Sequence, residues 1–122
     1  MAKTILTVDD SASMRQMIKL TLSGAGYNVI EAGDGTQGLS TARGNAVDMV
    51  LTDLNMPGMD GLQLVRELRK LSTYTGVPIV LLTTESDAER KQQAKAAGAT
   101  GWITKPFQPE QLLSVTRKVL GQ

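Results

Sequence analysis

The sequence contains no cysteine and no histidine. It can therefore form no disulfide, and it offers neither a thiolate nor an imidazole ligand to a metal ion. The same two absences exclude a Ser-His-Asp hydrolase and any enzyme with a cysteine nucleophile. Whatever chemistry the chain performs must use carboxylate, hydroxyl and amine groups.

Strong charge of either sign and long apolar segments are also absent. Thirteen Lys and Arg residues balance twelve Asp and Glu residues, for a net charge of +1, so no overall field attracts nucleic acid or an acidic membrane surface. No segment reaches the roughly 20 apolar residues that span a bilayer, and the N-terminal segment lacks the apolar run of a signal peptide. We expect a cytoplasmic protein that binds neither nucleic acid nor membrane.

The length and composition favour one folded unit. The chain has 122 residues, of which 41% are hydrophobic and 20% charged, and both values are close to those of globular proteins with a single domain. The sequence shows no internal repeat, linker or low-complexity tract. We expect a single domain over residues 1–122 that acts as a monomer.

Short apolar runs alternate with helical patterns along the chain. The runs are rich in β-branched and large apolar residues and predict strands at Thr4–Val8, Tyr27–Ile30, Met49–Thr52, Pro78–Thr83 and Gly101–Thr104. Helical spacing of apolar residues predicts helices over Met14–Leu22 and Leu62–Leu71, and capping-box pairs mark helix starts at Ser13–Gln16, Asp60–Gln63 and Ser86–Glu89. This alternation predicts an α/β fold with three layers, in which helices cover both faces of a parallel sheet.

Polar residues follow the carboxyl ends of the predicted strands, where open α/β sheets bind ligands. They are Asp9 and Asp10 after the first strand, Asp53 after the third, Thr83 at the end of the fourth and Lys105 after the fifth. Converging carboxylates repel one another, and a hard divalent cation such as Mg²⁺ relieves that repulsion. Because Mg²⁺ commonly pairs carboxylates with phosphate oxygens, this edge is predicted to transfer a phosphoryl group to a carboxylate nucleophile.

Four segments carry these residues. They are Val8-Asp9-Asp10-Ser11, TDLNMPGMDG over residues 52–61, Leu82-Thr83-Thr84-Glu85 and Thr104-Lys105-Pro106-Phe107. Together they resemble the motif set of bacterial response-regulator receiver domains, and in particular stand-alone chemotaxis regulators of the CheY type, over essentially the whole chain. The resemblance implies a flavodoxin-like (βα)5 fold with the strand order 2-1-3-4-5.

The resemblance also implies a role for each acidic residue. Asp53 would accept a phosphoryl group from a phosphohistidine of a partner histidine kinase. Asp10, Asp53 and the backbone carbonyl of Asn55 would bind Mg²⁺ directly, and Asp9 would assist through water. The protein would then be no enzyme in the ordinary sense, because it would catalyse only its own phosphorylation and dephosphorylation.

Thr83 and Lys105 would contact the phosphoryl group, and the Lys105–Pro106 bond is expected to be cis. Trp102 stands where receiver domains usually have Tyr or Phe, the aromatic residue whose rotamer reports phosphorylation. We therefore expect Thr83 and Trp102 to form the switch. The predicted fourth helix, Ser86–Ala97, has only alanine as its apolar residue, so it can bury little area and is free to shift.

The output surface implied by the resemblance comprises the fourth helix, the fifth strand and the fifth helix. The expected partners are a histidine kinase of the chemotaxis type, a phosphatase and a downstream protein such as a flagellar motor switch. No output domain is expected to follow residue 122. A phosphate sink or shuttle between kinases is the alternative, and the sequence does not distinguish the two.

Other site types were weighed against this interpretation. Residues 33–38 match the G-x-G-x-x-G pattern of dinucleotide-binding proteins, but Asp34 would place a negative charge beside the pyrophosphate. The alternative is that Asp34 caps a helix and Gly35 eases the turn. A calcium loop starting at Asp53 fails because Leu64 occupies its twelfth position. A flavin-binding module is disfavoured because the chain has only four aromatic residues and places acidic groups where the flavin phosphate would lie.

Overall fold

A computed structural model describes residues 2–84 and 88–122 of the chain. Five parallel strands form one sheet in the order β2-β1-β3-β4-β5. The strands are β1 (Thr4–Val8), β2 (Asn28–Ala32), β3 (Met49–Asp53), β4 (Ile79–Thr83) and β5 (Gly101–Thr104). The helices are α1 (Ala12–Gly24), α2 (Gly35–Gly44), α3 (Gly61–Arg69), α4 (Ala88–Ala97) and α5 (Pro109–Val119). The flavodoxin-like fold and the strand order are as expected from the sequence.

The helices form one layer on each face of the sheet. On one face, apolar residues of α2, α3 and α4 pack against alternate strand residues such as Leu6, Val50 and Leu81. On the other face, Ile18 and Leu22 of α1 and Leu112 of α5 pack against the intervening strand residues. Every residue of β3 and β4 is buried, because a central parallel strand is covered on both sides.

The register of the sheet brings the strand ends to one edge. Val8 pairs with Thr52, Asp53 pairs with Leu82, and Thr83 pairs with Thr104. Polar residues that are separated by up to a hundred positions in the sequence therefore lie at the same carboxyl edge.

Two of the predicted helix caps are confirmed by the structure, and one is wrong. The carboxylates of Asp34 and Asp60 accept hydrogen bonds from the backbone of Gln37 and Gln63, as predicted for helix caps. The predicted cap at Ser13 is wrong, because the hydroxyl of Ser11 accepts from the Met14 N–H and begins α1 two residues earlier. The start predicted at Ser86, together with Glu85, lies outside the described residues.

The predicted second strand and third helix have shifted boundaries. Strand β2 begins after Tyr27, whose ring is buried and whose hydroxyl is 2.7 Å from Gln122 Oε1. Helix α3 ends at Arg69 and is followed by one turn of 3-10 helix at Ser72–Tyr74. The end of α3 is tightened by backbone bonds of 3-10 type, since the N–H groups of Lys70 and Leu71 donate to the carbonyls of Glu67 at 3.2 Å and Leu68 at 3.0 Å.

Helix α4 is weakly embedded, as the sequence predicted. Among its ten residues only Ala94 is buried. Within the described part of the chain, no helix is both long enough and apolar enough to cross a membrane.

Candidate functional site

Three carboxylates meet at the carboxyl edge of the sheet. Carboxylate oxygens of Asp9, Asp10 and Asp53 all lie within 4.8 Å of one another. Asp9 is fully buried, Asp53 is 7% exposed and Asp10 is exposed. The cluster therefore combines two carboxylates held in the protein with a third that faces solvent.

Asp9 is held by its surroundings yet keeps one oxygen without a hydrogen bond. Its Oδ1 accepts from the Ser11 N–H at 2.9 Å, whereas its buried Oδ2 has no hydrogen-bond partner among the described residues. Burial raises the pKa of Asp9 above its ordinary value, and the nearby charge of Asp53 acts in the same direction. The Ser11 N–H and the Lys105 ammonium lower the pKa in part.

A buried carboxylate oxygen without a donor, beside two further carboxylates, fits a hard divalent cation. Oxygen ligands are what Mg²⁺ prefers, and the open side at Asp10 leaves room for the waters that this ion usually retains. The oxygen ligands of the cluster therefore suit Mg²⁺, the metal that the sequence predicted.

Lys105 provides the positive charge within the cluster. Its Nζ lies 3.2 Å from Asp53 Oδ1 and 3.7 Å from Asp9 Oδ2. The Lys105 N–H donates to the Thr83 carbonyl at 2.8 Å, and the Lys105–Pro106 bond is cis as predicted. Lys105 is predicted to contact a phosphoryl group, and its ion pair with both buried aspartates has no counterpart in the sequence pattern.

Thr83 and Asn55 occupy neighbouring positions at the same edge. Thr83 is 3% exposed and follows Leu82, the residue that pairs with Asp53 across the sheet. Asn55 is exposed and lies two residues past Asp53, in the loop that leads to α3. The fold therefore brings the predicted metal-binding residues, Thr83 and Lys105 to the same edge of the sheet, whereas their individual roles remain predictions. Trp102, the other predicted switch residue, lies within β5 and pairs with Leu81.

Two residues that the sequence analysis did not select also contact the site. Gly61 lies directly against the end of β3, and a Cβ added to it would fall 2.3 Å from the Asp53 carbonyl oxygen. Arg15 on α1 donates from Nη1 to the Asp9 carbonyl. A glycine directly after the Asp60 cap was a usable signal, because glycine is a poor helix former. An arginine on an amphipathic helix carries no comparable signal.

Trp102 lies on the side of the site nearest to α4. Its side chain is partly exposed, at 38%, and the Lys91 ammonium lies 5.2 Å from the centre of its ring. A small cavity of about 10 Å³ lies beside the ring and is lined by Leu54, Leu81, Thr83, Arg90, Lys91, Ala94 and Trp102. Thr83 and Trp102 thus border the same small space.

The glycine-rich segment over residues 33–38 has a structural explanation. Asp34 caps α2, as the alternative interpretation held. Gly35 does not act by easing a turn, because its backbone has no positive φ. Its value lies in packing, since a Cβ at this position would fall 2.3 Å from the Met59 carbonyl oxygen.

The fold and the edge residues define a class of protein. It is a doubly wound α/β domain that presents an acidic cluster, a lysine and a threonine at the carboxyl edge of its sheet. Residues 5–117 match the family of the response regulator receiver domain. The chain belongs to this family, whose members work in two-component systems with histidine kinases.

Relatives and solved structures of two kinds are similar to the chain. The chemotaxis protein CheY4 of Vibrio cholerae is 46% identical, with a TM-score of 0.95 over 98% of this chain and 99% of that one. The DNA-binding response regulator MtrA of Mycolicibacterium paratuberculosis is 42% identical over 117 residues, which are 96% of this chain and 51% of that protein. The chain thus spans about half the length of the MtrA relatives.

A third structure bears on the acidic cluster. The receiver domain of the sensor histidine kinase PA1611 from Pseudomonas aeruginosa is 28% identical, with a TM-score of 0.91 over the full length of both chains. It was solved with a magnesium ion coordinated in its active-site cleft.

Proposed function

We propose that the chain is a phosphoacceptor whose Asp53 takes a phosphoryl group from a histidine kinase and thereby switches a protein-binding surface. The observation that carries the proposal is the cluster itself. Asp53 is held at the carboxyl edge of the sheet, with two further carboxylates within 4.8 Å and the Lys105 ammonium at 3.2 Å. A carboxylate at this edge can act as a nucleophile toward phosphorus without a general base of the histidine type.

Asp10, Asp53 and the backbone carbonyl of Asn55 would hold Mg²⁺, with Asp9 assisting through water. When bound, the ion neutralises charge on the carboxylates and on the incoming phosphoryl oxygens. The orphaned Oδ2 of Asp9 supports this assignment, as does the magnesium ion in the PA1611 receiver domain.

The transfer itself is an in-line displacement at phosphorus. An oxygen of the Asp53 carboxylate forms the new P–O bond while the P–N bond to the donor imidazole breaks, and the imidazole nitrogen keeps the bonding electron pair. Lys105 is placed to balance charge on the phosphoryl oxygens, and the Thr83 hydroxyl can donate to one of them. Hydrolysis of the acyl phosphate would later return Asp53 to its starting state.

The signal would leave through α4, β5 and α5. If Thr83 moves toward the phosphoryl group, space opens on the side of the cavity that Trp102 also lines. The same tryptophan borders an open groove of about 450 Å³ on the outer surface, lined by Trp102, Ile103, Thr104, Glu110, Gln111, Ser114 and Val115. A change in the Trp102 rotamer would alter that groove, and the weakly buried α4 could follow.

We further propose a chemotaxis role, in which the phosphorylated chain acts as a diffusible messenger to a flagellar motor switch. The support is the match with CheY4 along 98% of this chain and 99% of that one. The similarity to MtrA covers only about half of that protein. It therefore favours neither a single domain over residues 1–122 nor a longer regulator. A phosphate sink remains the second candidate, because the same site serves either role.

A mass measurement tests the phosphoacceptor role. After incubation with acetyl phosphate and Mg²⁺, the wild type should gain one phosphoryl mass and Asp53→Asn should gain none. Asp34→Asn is the matched control, because an asparagine there still caps α2 and the site is unchanged. Equal labelling of wild type and Asp53→Asn would overturn the assignment of the acceptor.

A binding measurement separates the messenger from the phosphate sink. Beryllium fluoride mimics a phosphoryl group bound to the aspartate. The chain treated with it should bind a purified flagellar switch protein more tightly than the untreated chain does. A sink would instead show no such gain, while its phosphoryl group returned rapidly to the kinase.

A further inference from the structure

We infer that Arg15 is a positioning residue for the metal site, because its guanidinium fixes the peptide that joins Asp9 to Asp10. The inference rests on the proposed function, since it concerns the Mg²⁺ that the acidic cluster would hold. It assigns a part in the site to α1, a helix that contributes none of the predicted ligands.

The guanidinium connects two elements of the fold. Arg15 Nη1 donates to the Asp9 carbonyl oxygen, and Arg15 Nε lies 3.5 Å from Glu31 Oε1 on β2. The Arg15 side chain is half-buried, with 22% of it exposed, whereas Glu31 is more open, with 33% of its side chain exposed. Glu31 is anchored in the sheet, where it pairs with Thr7 of β1. Arg15 therefore ties the loop after β1 to a rigid neighbouring strand.

The atom that Arg15 holds decides where Asp10 points. The Asp9 carbonyl and the Asp10 N–H belong to one planar peptide group, so fixing this oxygen fixes the plane from which the Asp10 side chain projects. Asp9 is already restrained by its N–H bond to the Ala32 carbonyl at 3.2 Å and by the Ser11 N–H on its carboxylate. Asp10 is exposed and gains its orientation from the peptide that precedes it.

Charge and position make opposite predictions for Arg15. Removing a positive charge beside three carboxylates strengthens their attraction for a divalent cation. Releasing the Asp9–Asp10 peptide weakens binding, because the ligands must then be ordered when the cation arrives. The sign of the change in Mg²⁺ affinity therefore distinguishes a positioning residue from a bystander charge.

Lys19 provides a matched control on the same helix. Its Nζ lies 3.5 Å from Oε2 of the same Glu31, and its side chain is 52% exposed. Lys19→Gln removes one positive charge from the same ion-pair group and leaves the Arg15 bond to the Asp9 carbonyl in place.

Titration calorimetry with Mg²⁺ on the purified chain tests the inference. Arg15→Gln should bind Mg²⁺ about tenfold more weakly than the wild type, the lower end of the effect seen for residues that orient metal ligands. Lys19→Gln should bind as tightly as the wild type or slightly more tightly. Unchanged or tighter binding by a folded Arg15→Gln would overturn the inference.

If urea unfolding in EDTA shows that Arg15→Gln does not fold, Arg15→Lys takes its place as the test variant. Arg15→Lys keeps the charge, but one ammonium cannot span both the Asp9 carbonyl and Glu31, so it should also bind Mg²⁺ more weakly than the wild type. Affinity equal to the wild type in Arg15→Lys would then overturn the inference. A wild type that binds no Mg²⁺ would instead count against the proposed function.

Discussion

The backbone of Gly61 lies against the backbone of the proposed acceptor, so closely that a Cβ at position 61 would fall 2.3 Å from the Asp53 carbonyl oxygen and 2.8 Å from the Leu54 Cα. The Gly61 N–H also donates to the Leu54 carbonyl at 2.9 Å. The first turn of α3 therefore supports the segment that carries Asp53, and only a residue without a side chain permits this approach.

Gly61→Ala should lower the free energy of unfolding by about 1–3 kcal/mol, the usual cost of forcing extra atoms into a packed region. It should also slow phosphorylation, because the Asp53 backbone must move. Gly44→Ala is the control, since a Cβ at Gly44 meets nothing within 4 Å. Urea unfolding and the rate of labelling by acetyl phosphate measure the two effects, and equal results for both variants would contradict this packing argument.

Asp10→Asn should raise the free energy of unfolding in EDTA, by up to about 1 kcal/mol, because it removes one of three mutually repelling charges near the surface. Asp53→Asn should raise it less, since this variant also loses the ion pair with Lys105 at 3.2 Å. Both gains should shrink in Mg²⁺, which stabilises the wild type by binding to its folded state. Chemical denaturation with and without Mg²⁺ provides the measurement, and lower stability of Asp10→Asn in EDTA would argue against a repulsive cluster.

Trp102 is the only tryptophan in the chain and should report the switch through its emission. Mg²⁺ alone should change the spectrum little. The residue beside the proposed acceptor Asp53 is Leu54, so no indole would lie next to a bound Mg²⁺ ion. Beryllium fluoride should shift the emission as the ring at position 102 changes its burial. Thr83→Ala should weaken this response, and Asp53→Asn should abolish it. An unchanged spectrum on verified phosphorylation would show that the ring keeps one rotamer in both states.

Tyr74 should make the protein sensitive to alkaline conditions. Its hydroxyl donates to the Ala42 carbonyl at 2.6 Å, and burial raises the pKa of this phenol above its ordinary value of 10.0. The neutral form is therefore favoured in the folded state, so its contribution to stability is complete below about pH 10 and is lost as the pH rises through the folded pKa. Unfolding free energies measured from pH 8 to 11, a range that brackets the ordinary tyrosine pKa of about 10, should fall more steeply for the wild type than for Tyr74→Phe. Tyr27→Phe is the control, and parallel curves for wild type and Tyr74→Phe would refute the prediction.

The strand pattern shows how much of the fold was accessible from the sequence. Short apolar runs predicted strands at Met49–Thr52 and Pro78–Thr83, and every residue of the observed β3 and β4 is buried. The run of large and β-branched apolar residues predicts the start of β2 at Tyr27, but the strand begins at Asn28. The Tyr27 ring is buried just before it, and its hydroxyl donates to Gln122 at the far end of the chain. A contact over 95 positions has no local signature.

The helix caps also include some that the sequence pattern predicted correctly and one that it did not. Asp34 and Asp60 cap their helices as predicted, whereas the start of α1 was assigned to Ser13 instead of Ser11. Ser13 has Gln16 three residues further on, as a capping box requires, whereas Ser11 has Met14 at that spacing. The structure nevertheless begins α1 after Ser11, whose N–H donates to the Asp9 carboxylate.

By itself, the sequence determined the class of fold, the residues at the carboxyl edge of the sheet and their chemistry, because periodicity and short motifs are local properties and parallel strands end together. Only the tertiary structure decided which of these groups touch. Lys105 lies 3.7 Å from Asp9 across 96 positions of sequence, and its ammonium joins two carboxylates that the sequence could place only at the same edge. Gly61 and Arg15 are close in sequence to Asp53 and Asp9, yet their contacts depend on how α3 and α1 pack on the sheet. The glycine after the Asp60 cap was a local signal for its contact, whereas no local pattern indicated that of Arg15.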